Sequence, residues 1–315
     1  MDRTINVLCS TDNTYVPYCG IMLTSLFENN KCPLNVFIIC NNLSKDGKEA
    51  LASLGKTYGN LITFIHVDEE VTSGFPIRER DHVSLATYYR LFATRILPED
   101  IDRILYLDCD MVINGNIDEL YSCDLTDKSM ACTLDEDYMS DAKYARLGLS
   151  GPKTYFNAGM ILINLQYWRE HNIHDKCMQC IADIPEKLLL HDQDTLNVVL
   201  KDTVKLVSVT YNMQTGLLYV GQRIGDEVKD DIQASIYNPV IIHYTGPRKP
   251  WLKHYHHPYI GYFRYYMKKS PWRELQLTTI LKEEYRYYRH AVKFFLHLKK
   301  YPYIVKRIKV SNKDK

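Results

Sequence analysis

The first third of the chain alternates between two hydrophobic periods. "TINVLCS", "LNVFIICNN" and "LITFIHVD" are short, nearly continuous apolar runs of strand length. Between them, "YCGIMLTSLFENN" and "KDGKEALASLGKTYG" repeat their apolar positions every three or four residues. That spacing gathers side chains on one face of a helix, whereas strand residues alternate. Strand, helix, strand, helix, strand predicts a parallel α/β sheet with right-handed crossovers. "SLATYYRLFATRIL" predicts a further helix running into "RILYLDCDMVI", and "MACTLDED" and "FNAGMILINL" predict more strands. "QDTLNVVLKD" is helical, and "NPVIIHYT" reads as one more strand. Near Thr278 the text changes to "EEYRYYRHAVKFFLHLKKYPYIVKRIKV", with near-helical spacing up to Pro302. The boundary therefore separates residues 1–277, one α/β domain, from residues 278–315, a basic aromatic tail.

Composition adds charge to this picture. Apolar residues make up 46% of the 315 positions, enough for a full core, and the net charge of +1 implies no nucleic-acid partner. The charge is segregated. From Leu281 onward 11 Lys/Arg face 3 Asp/Glu, while the rest of the chain holds 28 against 35. A basic, aromatic end usually faces phosphate or an anionic membrane surface. Nine cysteines without framework spacing point to reduced thiols and a cytoplasmic setting. The start, "MDRTINVLCSTDNTY", lacks a signal peptide's apolar run. No stretch reaches the roughly 18 apolar residues of a membrane span. The expectation is a cytoplasmic protein peripheral to the cell membrane.

Ligands of open α/β sheets sit at the carboxyl ends of strands, and there the chemistry-bearing residues recur: Asp12, Asp108, Asp110, Asp135 and His243. "ILYLDCDMVI" sets two carboxylates at the end of an apolar run. In an extended segment both point one way, so one hard divalent cation can bind both, with Cys109 turned inward. In isolation such a pair is more often a solvated strand end. In "HYTGPRKPW", His243 is either a third ligand or a structural histidine, Gly246 lets backbone approach a phosphate, and Lys249 offers it a charge. Asn157 in "FNAGMILINLQYW" can bond a sugar hydroxyl or open a turn. Asp192 in "HDQDTLN" can act in a site or serve as an N-cap. His171, His174, Cys177 and Cys180 recur every three residues, a step that rotates around a helix and does not converge on one zinc ion. The chain has no Walker loop, no GxGxxG and no nucleophile elbow.

Together "STDNTYVPY", "ATYYRL", "YLDCDMVI", "FNAGMILINLQYW", "HDQDTLN" and "HYTGPRKPW" occur in the order and approximate spacing of family 8 glycosyltransferases. The resemblance spans roughly residues 4–252. It is closest to the bacterial lipopolysaccharide galactosyl- and glucosyltransferases and more distant from glycogenin. It implies a GT-A fold, Rossmann-like with a mostly parallel sheet, and a retaining, metal-dependent transfer of glucose or galactose from a UDP-hexose. The acceptor implied is a cell-surface glycan or lipid-linked oligosaccharide. Asp108, Asp110 and His243 resemble the family's Mn²⁺ ligands. Mixed oxygen and imidazole ligation suits Mn²⁺, with Mg²⁺ the second candidate. Asp12 and Tyr15 resemble the uracil contacts, with Thr14 where the nearest relatives often carry Asn. Arg90, Asp108, Cys109, Asn157, Ala158, Gly246 and Lys249 complete the expected UDP-sugar contacts. Gln193, Asp192 and Asp135 form the expected catalytic set, Gln193 under the anomeric carbon. Two rival readings are a glycogenin-like self-glucosylating starter and a catalytically silent nucleotide-sugar-binding module.

Overall fold

The computed structural model describes residues 4–68, 74–76, 85–279, 302–306 and 308. The opening alternation folds as its periods predict: β1 (Ile5–Ser10), α1 (Val16–Asn29), β2 (Leu34–Cys40), α2 (Lys45–Thr57) and β3 (Leu61–His66). Pro17 sits in the first turn of α1, where its missing N–H costs nothing, and Ser44 caps α2 by accepting from the Gly47 amide at 3.1 Å. α1 is buried along most of its length because it lies between two sheets and packs on the later helix Ile260–Lys269.

The stretch expected as one helix is instead a 3₁₀ segment, Leu85–Phe92, leading into the single turn α3 (Ala93–Ile96). Winding at about three residues per turn aligns Thr87 with Arg90. Both reach Asp192, at 2.5 and 2.9 Å. The expected continuous strand through "YLDCDMVI" also breaks. β4 (Arg103–Leu107) belongs to the large sheet, β5 (Met111–Ile113) to a small one, and Asp108–Asp110 turn between them.

The remainder runs α4 (Asp118–Tyr121), β6 (Met130–Leu134), α5 (Asp141–Leu147), β7 (Phe156–Asn164), α6 (Leu165–Glu170), α7 (Ile173–Asp183), α8 (His191–Leu200), β8 (Val204–Leu206), β9 (Met213–Gln214), α9 (Asp226–Ser235), β10 (Ile241–His243) and α10 (Ile260–Lys269). The large sheet has the order β3-β2-β1-β4-β7-β6-β8, parallel except for β7, which runs against both neighbours. The small sheet, β5-β10-β9, closes the carboxyl end. A register shift between Cys132 and Thr133 brings Asn157 opposite Thr133. Such bulges re-aim side chains beside sites.

Apolar clusters fill both faces of the large sheet, and a third joins the small sheet to α10. Tyr303 and Val305 belong to that third cluster. Tyr303 stacks on Tyr219 at 5.0 Å and donates to the His256 carbonyl at 2.9 Å. The basic helical stretch expected before Pro302 lies outside the described residues. No described helix is long and apolar enough to cross a membrane.

Candidate active site

The two carboxylates come together at a turn between β4 and β5, not by strand alternation. Cys109 points inward as expected, its thiol donating to the Ser10 carbonyl at 3.1 Å. His243, the last residue of β10, pairs with Met111 across the small sheet. Its Nε2 lies 3.2 Å from Asp110 Oδ1 and 3.9 Å from Asp108 Oδ2. The ligand atoms of Asp108, Asp110 and His243 all fall within 4.8 Å of one another.

Asn212 sets the imidazole. Its side-chain amide N–H donates to Asn157 Oδ1 at 3.0 Å, so its oxygen faces His243 Nδ1 at 2.9 Å. Nδ1 then carries the proton and the Nε2 lone pair faces the carboxylates. Gly159 leaves room for this group: a Cβ there would meet the His243 ring and the Asp108 carboxylate. Burial pushes the Asp110 pKa up, but the Lys249 ammonium leads the influences that outweigh it and hold the carboxyl well below its usual range. Lys249 Nζ sits 2.5 Å from Asp110 Oδ2. Asp110 Oδ1 is buried and makes no hydrogen bond. A bare carboxylate oxygen beside a second carboxylate and an imidazole lone pair is a donor set suited to a divalent cation.

Arg90 joins this group to the next. Its guanidinium lies 2.8 Å from Asp108 Oδ1 and 2.9 Å from Asp192 Oδ2, stacks 4.0 Å over the Tyr106 ring, and donates to the Ala158 carbonyl. Asp192 sits in the first turn of α8 but caps nothing; the Leu190 amide is taken by Asp194 instead. Burial raises the Asp192 pKa against the pull of Arg90 and Thr87. Gln193 Oε1 accepts from the Ala158 amide at 3.0 Å and from Asn157 at 3.1 Å. Its Nε2 donates to Asp135 Oδ2 at 3.1 Å.

These residues line one cleft of about 830 Å³, from Tyr15 and Gly246 to Asp135 and Gln193. An adjoining hollow of about 380 Å³ holds Asp12 and Cys109 and shares Tyr15, Arg90, Asp108, Asp110 and Lys249 with it. Gly246 adopts φ of 84°, a left-handed backbone that favours glycine. Thr14 is exposed, bonds Asp12 Oδ1 at 2.6 Å and lines neither hollow. Sequence reasoning left out Thr87, Glu136, Lys143, Gly159 and Asn212. Glu136 had a signal, since it follows Asp135 in "TLDED". It accepts from Thr245 at 2.6 Å and from the Gly216 amide at 2.7 Å, and burial raises its pKa. Asn212 stands in "TYNMQ", which carries no such signal. The histidines and cysteines of α6 and α7 do not gather. His171 stacks on Tyr167, His174 bonds the Leu91 carbonyl, and Cys177 and Cys180 are buried in the core.

A mostly parallel sheet with an Asp-x-Asp turn, a histidine and a sugar-sized cleft at its carboxyl end defines a glycosyltransferase of the GT-A fold. The chain belongs to glycosyl transferase family 8, whose model matches residues 6–254. It is 31% identical to a lipopolysaccharide 1,2-glucosyltransferase of Escherichia coli, covering 96% of this chain and 86% of that one. It is also 31% identical to a putative glycosyltransferase of Haemophilus influenzae, covering 80% and 74% of the two chains. The galactosyltransferase LgtC, solved with donor and acceptor sugar analogues, superimposes with a TM-score of 0.77 at 25% identity, covering 90% of this chain and all of that one.

Proposed function

We propose that the protein moves glucose or galactose from a UDP-hexose to a hydroxyl of a cell-surface glycan or lipid-linked oligosaccharide, with retention at the anomeric carbon. One observation carries this reading. The Asp108–Asp110–His243 group with Lys249 opens into the same cleft as Asp135, Asn157 and Gln193. Departure of a nucleoside diphosphate leaves negative charge on its oxygens. A divalent cation on the triad, Mn²⁺ before Mg²⁺, would supply charge that stabilises it. Lys249 lies where it can add to that effect, so no general acid is needed on the leaving group.

Retention requires a covalent intermediate or attack from the leaving-group face. Gln193 is a neutral amide. Asp192 is engaged by Arg90 and Thr87, and Asp135 by Lys143, 2.8 Å away, and Asn157. Carboxylates engaged in this way are weak nucleophiles. This supports front-face attack, with a phosphate oxygen of the leaving group taking the acceptor's proton. A glycosyl adduct trapped on Asp135 or Asp192 and seen by mass spectrometry would overturn it.

The lipopolysaccharide glucosyl- and galactosyltransferases among the relatives support an acceptor of that class. The basic residues from 281 onward support attachment to an anionic membrane face from the cytoplasmic side. Sedimentation with phosphatidylglycerol vesicles checks this, and failure of the wild-type protein to co-sediment at low salt would refute it. The test of the main reading is UDP release from a panel of UDP-sugars, with Mn²⁺ and then with EDTA. One hexose should turn over in a metal-dependent way. Asp110→Asn should lower kcat by about 10²-fold or more, the scale of losing a stabiliser of developing charge. Metal-independent turnover, or none with any UDP-sugar and acceptor, would refute the reading.

A further inference from the structure

The first turn of α5 places Lys143 inside the cleft. The side chain is only 7% exposed, and an ammonium is almost never that buried without a partner. Its Nζ donates to Asp135 Oδ1 at 2.8 Å and lies 4.1 Å over the face of Tyr155. The Asp137 carboxylate, 3.7 Å away, is largely solvent-exposed. α5 is held in place by a second basic residue, since Arg146 clasps Asp194 at 2.7 and 3.2 Å. Tyr155 in turn donates to Asp194 at 2.6 Å. The position of Lys143 is therefore set from both ends of the helix.

An ammonium carries three N–H groups. One is taken by Asp135 and one faces the Tyr155 ring. Lys143 itself lines the cleft beside Asp135, Asn157 and Gln193, so its third N–H is shared between Asp137, 3.7 Å away, and whatever occupies that end. Asp135 is the group that fixes the ammonium, and it is itself fixed. Its Oδ1 takes the Asp137 amide at 3.1 Å as well as Lys143, and its Oδ2 takes Gln193 and Asn157 at 3.1 and 3.3 Å. With its four acceptor sites taken, Asp135 holds Lys143 rigidly, and a fixed charged donor is suited to a pyranose hydroxyl, whose oxygen accepts. A site built to bond a given hydroxyl rejects a sugar that presents it wrongly, because the buried polar group is then left unpaired.

We propose that Lys143, held by Asp135, is a donor-sugar-binding residue that bonds a hydroxyl of the hexose and sets the choice between epimers. This rests on the UDP-hexose reading above. Lys143 lies at the sugar end of the cleft and touches none of Asp12, Asp110 or Lys249, so it should act on the hexose and not on the nucleotide.

The experiment compares wild type with Lys143→Met, measuring calorimetric affinity for UDP in Mn²⁺ and kcat/KM for UDP-glucose and UDP-galactose. The expected result is UDP affinity within about twofold of wild type. kcat/KM for the preferred hexose should fall about 10- to 100-fold, the scale of one lost charge-assisted hydrogen bond. The glucose-to-galactose ratio should also shift. Unchanged UDP affinity is itself the check that the variant has folded. Where Lys143→Met does not fold, Lys143→Arg is read in the same way, with the ion pair kept and the ratio expected to move. A parallel loss of UDP and UDP-hexose affinity would mean a purely structural lysine, and an unchanged hexose ratio would equally overturn the proposal. Wild type that binds UDP but turns over neither hexose would overturn the donor reading, and this proposal with it.

Discussion

Asn212 is wholly buried and touches no expected ligand position except through His243 and Asn157. Its carbonyl oxygen keeps the proton on His243 Nδ1, so a change there acts on the proposed metal group without removing any of Asp108, Asp110 or His243. Asn212→Leu is expected to weaken Mn²⁺ binding about 10- to 100-fold, the usual cost of losing such an outer partner. Titration of Mn²⁺ followed by electron paramagnetic resonance checks this, and an unchanged affinity would mean the imidazole is oriented by its strand alone. The same scale explains why Gly159 admits no side chain. The His243 ring and the Asp108 carboxylate occupy the volume where its Cβ would stand. Asp110 is held ionised by its surroundings, with Lys249 foremost in outweighing the penalty of burial.

At the scale of elements, the site is made by departures from regular structure. A 3₁₀ winding aligns Thr87 with Arg90, a bulge re-aims Asn157, and a turn splits one apolar run between two sheets. α1 is clamped in a comparable way. The Trp272 indole, from the segment after α10, lies directly where a Cβ on Gly20 would project. Gly20→Val is therefore expected to force the indole off or push α1 away, destabilising the fold by about 1–3 kcal/mol, the range of core overpacking. Chemical denaturation checks it. If the Trp272→Ala background removes most of that loss, the indole contact is its source; if not, the cost belongs to α1 itself.

Across the whole molecule, the C-terminal end of the described chain is sewn back onto the domain by aromatic contacts around His257. That ring is 2% exposed among Tyr244, Tyr255, Tyr259 and Tyr303, its Nε2 without a hydrogen-bond partner. Burial pushes its pKa from 6.5 down to about 3. The native state therefore excludes a proton that the unfolded chain accepts below pH 6.5. Stability from this source is intact above that value and is lost as pH falls toward about 3, at about 1.4 kcal/mol per pH unit. His257→Phe should flatten that part of the acid limb, read as denaturant midpoints between pH 7 and pH 4. Equal slopes in both proteins would show that His257 is not the group responsible.

The periodic text determined much of this protein. "TINVLCS" and "LNVFIICNN" became adjacent parallel strands because each apolar run is buried by neighbours on both faces, and "LITFIHVD" pairs beside them as a partly exposed edge strand. The carboxylates of "YLDCDMVI" were legible as a pair because charges at the end of an apolar run need a partner. "HYTGPRKPW" likewise announced His243 and Lys249. Tertiary structure alone decided how they meet. Asp108 and Asp110 converge through a turn, and Lys143 and Asn212 enter the site from segments whose local sequence gives no sign of it. The physical reason is range. Periodicity records which face of a segment is buried, whereas the partner of a buried polar atom is settled by chain crossings tens of residues away, here 31 between His243 and Asn212.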